Sequence, residues 1–371
     1  MKFENINIGH GKRRILVAPL DWGLGHATRC IPIIYTLIDL DFEVIIAADG
    51  PVKILLQKEF PNVVFTALKG YNIRYTSNSF WFPLKLALQF PKILYRIWYE
   101  NLWLKKTITA YNITAVISDN RMGLYNSKTP CIYITHQLKI KTGNRFTEWV
   151  AQQMHYFFIN KFSCCWVPDN ASANNIAGAL SHPEILPAAP VKYIGPLSRF
   201  EKIPVEKKYD LLIILSGPEP QRTIFETLLI KELKTFNGTG LLVRGLPGNT
   251  ETDALVFNDE NKIPVYNHLT AAELNKAIQQ ADMVISRSGY TTVMDLVKLQ
   301  QKAILVATPG QTEQEYVAEY LMKQNMFFSV AQKDFSLSEA LQKSAGFYFT
   351  TLPVLQDQYK NVIKEFTQHL R

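Results

Sequence analysis

Residues 20–29 read LDWGLGHATR, with an apolar run, RILVAP, before them and another, CIPIIYTLI, after. Gly23, Gly25 and His26 thus stand where a buried strand turns into a helix. Glycine lets backbone approach a ligand closely, and a helix start attracts phosphate oxygens. The full G-x-G-x-x-G spacing of a dinucleotide loop is missing. Three readings remain for His26: it helps to cradle a nucleotide, it serves a turn, or it moves a proton, its ordinary pKa being about 6.5. Asp21 is a rival base, and so is Asp119 in VISDNRMG, whose plain alternative is an Asx turn. His136, in CIYITHQ, ends another apolar run and either lines the site or is a structural histidine.

A second set of loops lies in the C-terminal half. LLIILSGPEPQR ends an apolar run in Ser216-Gly217 and continues to Arg222. MVISRSGYTTVMDL places Arg287, Ser288 and Gly289 before a helix that contains Asp295. ATPGQTEQEY puts Gln314 near another helix start. Glycines at helix entrances, with arginines close by, suit the oxygens of a diphosphate. An acid placed like Asp295 can accept both hydroxyls of a ribose, and the Gln314 amide can reach a sugar. Each loop alone is also an ordinary turn. Asp39-Leu40-Asp41 mimics a metal-binding D-x-D, but it falls where a helix hands over to the next strand, at the sheet end opposite a ligand. It is expected to be a turn, and no metal site, Walker lysine loop, H-E-x-x-H or nucleophile elbow is expected.

The elements that must hold these residues follow from periodicity. RILVAPL, FEVIIAA, NVVFTAL, AVISD and CIYITH read as buried strands, with IPIIYTLIDL and residues 83–109 as helices between them. A polar, proline-punctuated stretch, YIGPLSRFEKIPVEKKYD, reads as a linker. Strands then resume with LLIILS, GLLVRG, KIPVYN, MVISRS and AILVAT. Three helix starts carry the Thr/Ser-x-x-Glu capping pattern: Thr270 with Glu273, Thr312 with Glu315, and Ser336 with Glu339. Strand–helix alternation on both sides of a linker predicts two doubly wound α/β domains, with ligands beyond the carboxyl ends of the strands.

Bulk properties narrow the class. A length of 371 residues exceeds one ordinary core. With 47% hydrophobic and 19% charged residues, the chain is globular rather than disordered. The four cysteines, Cys30, Cys131, Cys164 and Cys165, suit neither zinc nor a disulfide framework, which points to a reducing cytoplasm. No signal peptide or spanning helix is expected. The net charge is +8, and it concentrates in residues 71–106, which hold six Lys or Arg, one acid and ten aromatics. That stretch is either a core helix with solvated lysines or an anionic-membrane surface. Nucleic acid is disfavoured, because no recognisable motif accompanies it.

The segment ADMVISRSGYTTVMDL…AILVATPGQTEQEYVAEYL resembles the nucleotide-sugar region of family 28 glycosyltransferases. The Arg-Ser-Gly turn, the helical acid eight residues after the arginine and the glutamine at a helix start are here Arg287, Ser288, Gly289, Asp295 and Gln314. The family acid is usually glutamate, one methylene longer than Asp295. SGPEPQR stands for the family's glycine-rich loop, with fewer glycines and two prolines. DWGLGHATR is similar to its N-terminal glycine loop ending in histidine, and CIYITHQ to its later His-containing turn.

The resemblance implies a GT-B fold, two Rossmann-like doubly wound domains facing a central cleft. Residues 1–198 would form the acceptor-side domain, 199–209 the linker and 210–353 the nucleotide-sugar domain, with a helix in 354–371 packing back on the first. It also implies inverting transfer from a nucleotide sugar, a UDP-sugar above all, without metal or other cofactor. The acceptor would be a saccharide or a lipid-linked envelope precursor, met at the inner face of the plasma membrane through residues 71–106. A UDP-sugar 2-epimerase or hydrolase of the same fold and a non-catalytic nucleotide-binding subunit are the alternatives.

Overall fold

The computed structural model describes residues 13–71, 82–172, 174–246, 252–256, 262–350 and 357–370. Residues 1–12 and the 72–81 part of the basic aromatic stretch lie outside them. Two compact units meet in sequence at Leu197 and Ser198, and the described residues 357–370 belong to the first.

In the first unit β1 (Arg14–Pro19), β2 (Glu43–Ala48), β3 (Val64–Ala67), β4 (Ile113–Asp119), β5 (Cys131–Ile134), β6 (Cys164–Val167) and β7 (Val191–Tyr193) form one sheet among the described residues. Its order is β3-β2-β1-β4-β5-β6-β7, and each neighbouring pair is parallel. Ile15, Leu16, Val17 and Ala18 are wholly buried, as a parallel sheet covered on both faces requires. That is why the strands read as continuous apolar runs rather than as alternation. The helices α1 (Leu24–Asp39), α2 (Gly50–Glu59), α3 (Phe82–Tyr111) and α4 (Arg145–Ile159) supply the crossovers. The sequence reading misses β6 and β7: CCWV lacks β-branched residues until its last position, and VKY is three residues long.

Helix α1 buries Ala27, Cys30, Ile31, Ile33, Ile34 and Leu37 against the sheet. It ends at Asp39, and Asp41 turns the chain into β2 with a left-handed φ of 66°. The Asp39-Leu40-Asp41 stretch therefore precedes β2, at the sheet end away from the carboxyl ends of the strands.

The second unit carries β8 (Tyr209–Ile214), α5 (Gln221–Leu233), β9 (Gly240–Val243), β10 (Thr252–Val256), β11 (Lys262–Tyr266), α6 (Ala271–Gln280), β12 (Ala281–Ser286), α7 (Tyr290–Leu299), β13 (Ala303–Leu305), α8 (Thr312–Lys323), β14 (Phe328–Ser329) and α9 (Leu337–Ala345). Its sheet order is β10-β11-β9-β8-β12-β13-β14, with β10 antiparallel at the edge. Leu211, Ile213, Leu242, Ile285 and Ile304 pack with Phe225, Leu229 and Leu233 of α5 in one core cluster.

One of the three capping patterns forms a full box. Thr270 accepts from Glu273 N while the Glu273 carboxylate accepts from Thr270 N. Thr312 is instead the first residue of α8, capped by Gln311, and Glu315 accepts from Gly310 N. Ser336 does cap α9 but makes no cap bond, and Glu339 turns to Lys343. The stretch read as a linker is tied to α6: Gln279 accepts from Ile203 N and donates to Glu201 O, both at 3.0 Å.

The C-terminal helix α10 (Gln358–Gln368) returns to the first unit. There Phe366 meets Trp166 edge-on at 5.5 Å, and Lys192 pairs with Glu365 at 2.9 Å.

Strand order reverses direction between β1 and β4 in one sheet and between β8 and β12 in the other. These are the topological switch points, where crevices open at the carboxyl ends of parallel strands.

Candidate active site

The switch point of the first sheet holds a buried polar cluster. Register pairs Pro19 at the end of β1 with Asp119 at the end of β4. Gly23, whose φ of 94° favours glycine, starts α1 immediately after β1. Gly25 lies inside the first helical turn rather than on the loop, and its carbonyl accepts from the Thr28 hydroxyl. That turn sets His26 over the strand ends, with its Nδ1 2.9 Å from Asp119 Oδ2.

Arg29, three residues on and therefore on the same helix face, donates through Nε to both Asp119 oxygens at 2.9 and 3.0 Å. Its Nη2 also bonds Asp119 Oδ1 and lies 2.9 Å from His26 Nδ1. Its Nη1 lies 3.3 Å from His136 Nδ1, beyond the end of β5. Asn120 follows Asp119 with a left-handed φ of 54°. Oriented by its neighbours, its amide donates to Thr135 Oγ1 and accepts from Arg29.

These contacts divide the work among the candidates. Asp119 is completely buried. Burial opposes its ionisation, but Arg29 and His26 outweigh that and hold its carboxyl below the usual carboxylate range. Asp119 is thus a fixed anion that orients His26. His26 is held below the ordinary histidine value, first by burial and then by the Arg29 guanidinium, against the pull of Asp119. With Nδ1–H donated to Asp119, its Nε2 lone pair is the free acceptor. Nε2 makes no hydrogen bond among the described residues, and the side chain keeps 16% of its surface exposed. In that tautomer the neutral imidazole can take a proton at Nε2.

Asp21 stands apart from this group. Its Oδ1 accepts from Tyr71 N at 3.2 Å, and a Cβ at Gly70 would lie 1.7 Å from Oδ2. Tyr71 in turn donates to Glu100, which takes Arg121 Nη1 at 2.8 Å and Gly123 N at 3.1 Å. Arg121 Nε donates to Pro19 O, so this buried network fixes the end of β1 from which the histidine loop departs. Sequence reasoning missed Arg29, Asn120 and this network. A charged residue in the apolar run of α1, three after His26, was the available signal.

At the switch point of the second sheet, Ser216-Gly217 follow β8, Arg287-Ser288-Gly289 follow β12, and Thr308 to Gln314 follow β13. Gly217 has a φ of 103°. Gly289 is the N-cap of α7 and offers no side chain to its first amides. Arg287 is buried, stacks 4.2 Å above the Phe225 ring and donates to the carbonyls of Gln221, Val306 and Ala307. It has no carboxylate partner among the described residues, and burial alone brings its pKa down to about 10. Uncompensated positive charge thus sits under the three loops.

Other predicted groups are committed within the unit. Arg222 pairs with Glu219 at 2.6 Å and Glu226 at 2.8 Å, so it is not the spare cation expected for a diphosphate. Ser288 donates to Gln314 O. The Gln314 amide accepts from Thr308 N and donates to Gln311, bracing its own loop. Asp295, in the second turn of α7, is buried and accepts from the Ser198 hydroxyl.

Residues 234–349 match the glycosyltransferase family 28 C-terminal domain. Arg287, Ser288, Gly289, Asp295 and Gln314 all fall inside that domain. A segment of 152 residues is 27% identical to the UDP-N-acetylglucosamine–N-acetylmuramyl-(pentapeptide) pyrophosphoryl-undecaprenol N-acetylglucosamine transferase of Haemophilus ducreyi. The match spans 40% of this chain and 42% of that protein.

Among solved structures, the glycosyltransferase SnogD from Streptomyces nogalater superposes with a TM-score of 0.60 at 12% identity, over 97% of this chain and 100% of that one. MurG of Acinetobacter baumannii gives 0.54 at 14% identity, over 97% and 95%. The two parallel-sheet α/β units have the fold of GT-B glycosyltransferases. Within it, the stretch that matches the family 28 domain holds the Arg-Ser-Gly turn and the helical acid.

Proposed function

We propose that the protein is an inverting glycosyltransferase that uses a UDP-sugar. The observation that carries the chemistry is the His26–Asp119 pair at a strand-end crevice. His26 Nε2 takes the acceptor hydroxyl proton as that oxygen attacks the anomeric carbon. The bond from that carbon to the diphosphate oxygen breaks with its electron pair, and the nucleoside diphosphate leaves with the sugar's configuration inverted. Asp119 stabilises the imidazolium that forms. The loops at Gly217 and Gly289, above the uncompensated Arg287, take the diphosphate. Asp295 takes the ribose hydroxyls. The nucleotide sugar is the co-substrate in this reaction, and no metal or other cofactor takes part.

The acceptor class is proposed to be lipid-linked, approached on an anionic membrane surface. Two stripes of the first unit support this reading. Helix α3 exposes Leu94, Tyr95, Trp98 and Leu102, and α4 exposes Phe146, Trp149, Val150 and Phe157. Phe146 is 72% and Trp149 61% exposed. Leu94, Met154, Phe157 and Leu186 line an open groove along these helices. Glu100, the one acid of the 71–106 stretch, is buried against Arg121 and so does not offset the surface cations. No helix among the described residues is long and apolar enough to cross a membrane.

The test is a thermal-shift panel of UDP, GDP, dTDP and CMP nucleotides and their sugars, followed by turnover assays. UDP-sugars should shift the wild type and the His26→Ala variant equally, and only the wild type should turn over. Free sugar or epimer formed without acceptor would move the assignment to an epimerase or hydrolase. No shift with any nucleotide would make the chain a non-catalytic subunit.

A further inference from the structure

His26 Nδ1 has two neighbours at the same 2.9 Å, Asp119 Oδ2 and Arg29 Nη2. One can only accept a hydrogen bond and the other can only donate. Asp119 alone would draw a proton onto the imidazole and hold it there, because a neighbouring carboxylate favours the charged form. Arg29 opposes this, as a cation lying on both the carboxylate and the ring. We propose that Arg29 is the positioning residue that sets the proton affinity of His26, so that a proton taken up at Nε2 is given up again and the base is regenerated. This rests on the reading of His26 as the base and adds to it the residue that fixes its working pH.

The surroundings leave Arg29 as the principal opposing charge. From α1, Arg29 and Cys30 face the ring and its carboxylate, with Cys30 Sγ 3.9 Å from Asp119 Oδ2. From β4 comes Asp119 itself. From the turn after β5 comes His136, bonded to Arg29 rather than to His26. Arg29 bridges all three elements: its three nitrogens reach Asp119, His26 and His136. Its side chain is also buried, with 2% exposure, so solvent does not screen its charge on the ring. The direction of the His26 shift, downward with Arg29 second only to burial, agrees with this geometry.

The test reads His26 without any sugar substrate. Diethyl pyrocarbonate acylates neutral imidazole, so its rate at His26 against pH, assigned by peptide mass mapping, gives the midpoint of that one ring. Wild type should show a midpoint below 6.5. Arg29→Gln should raise it by about one pH unit or more, since Asp119 then acts unopposed. Asp119→Asn should lower it below wild type. Arg29→Lys, which keeps the charge, should stay near wild type. An Arg29→Gln midpoint equal to wild type in folded protein overturns the proposal. So does an Arg29→Lys midpoint raised well above wild type, which stands as the test if Arg29→Gln does not fold. Loss of turnover in His26→Ala tests the base assignment separately. An inert His26 with the expected midpoint order would sink that assignment and leave the charge relationship standing.

Discussion

Ser198 donates its hydroxyl to Asp295 Oδ1 at 2.6 Å across 97 residues of sequence, and both groups are buried. Burial pushes the Asp295 carboxyl up to about 6, although Arg199 and Ser198 pull it down. Its folded-state pKa thus lies above its unfolded value. The destabilisation this causes is absent well below pH 4, grows between pH 4 and 6 and levels off above 6. At pH 7.5 the cost is about 3 kcal/mol. Asp295→Asn should therefore raise the Tm at pH 7.5, and calorimetry at pH 4 and 7.5 checks it.

The same carboxylate ties nucleotide binding to pH. If it holds the ribose hydroxyls as an anion, UDP affinity should climb between pH 5 and 7 with a midpoint near 6. Ser198→Ala removes a bond to the ionised form and should move that midpoint upward. Calorimetric titration at several pH values measures both, and a flat profile would remove Asp295 from the ribose.

For transfer itself, kcat at saturating donor should rise with pH through a single acid limb below 6.5 and then level off. His26→Ala should lose about 10²–10⁴ of kcat. Asp119→Asn should lose much of the rate and move the limb still lower. Retained rates in either variant would place the base elsewhere.

Breaking the Glu100–Arg121 pair should cost stability rather than chemistry alone, because both side chains are 1% exposed. Arg121→Met leaves a buried carboxylate and should lower stability by about 3–5 kcal/mol. The double variant with Glu100→Gln should lose less than the two single losses added together. Denaturant titration of the four proteins gives the coupling.

Exposed aromatics on α3 and α4 predict salt-sensitive binding to anionic vesicles. Trp98→Ser and Trp149→Ser should each reduce co-sedimentation with phosphatidylglycerol liposomes and leave nucleotide thermal shifts intact. Equal binding to neutral vesicles, or none to either, would remove the membrane from the proposed acceptor.

Much of this arrangement was legible in the residue order. Strands buried on both faces are continuous apolar runs, so β1, β2, β4, β8 and β12 were readable, whereas VKY of β7 and FS of β14 are too short to carry a pattern. The candidate bases could be named, but not joined. The His26–Asp119 bond spans 93 residues and depends on β4 lying beside β1 in one particular register. The commitment of Arg222 to Glu219 and Glu226 is written in local i,i+3 and i,i+4 spacing, which competes with the charge that a loop arginine offers a diphosphate. Arg29 was hidden for the opposite reason. Within an apolar helix face it reads as an interruption until its three partners are seen together.

Helix α10 gives the chain an order of assembly. Tyr359, Ile363 and Thr367 are buried in the first unit, yet the ribosome makes them after every residue of the second. During synthesis the second unit can finish folding while the first still lacks the helix beside α1 and Trp166. The half that carries the histidine loop is begun first and completed last.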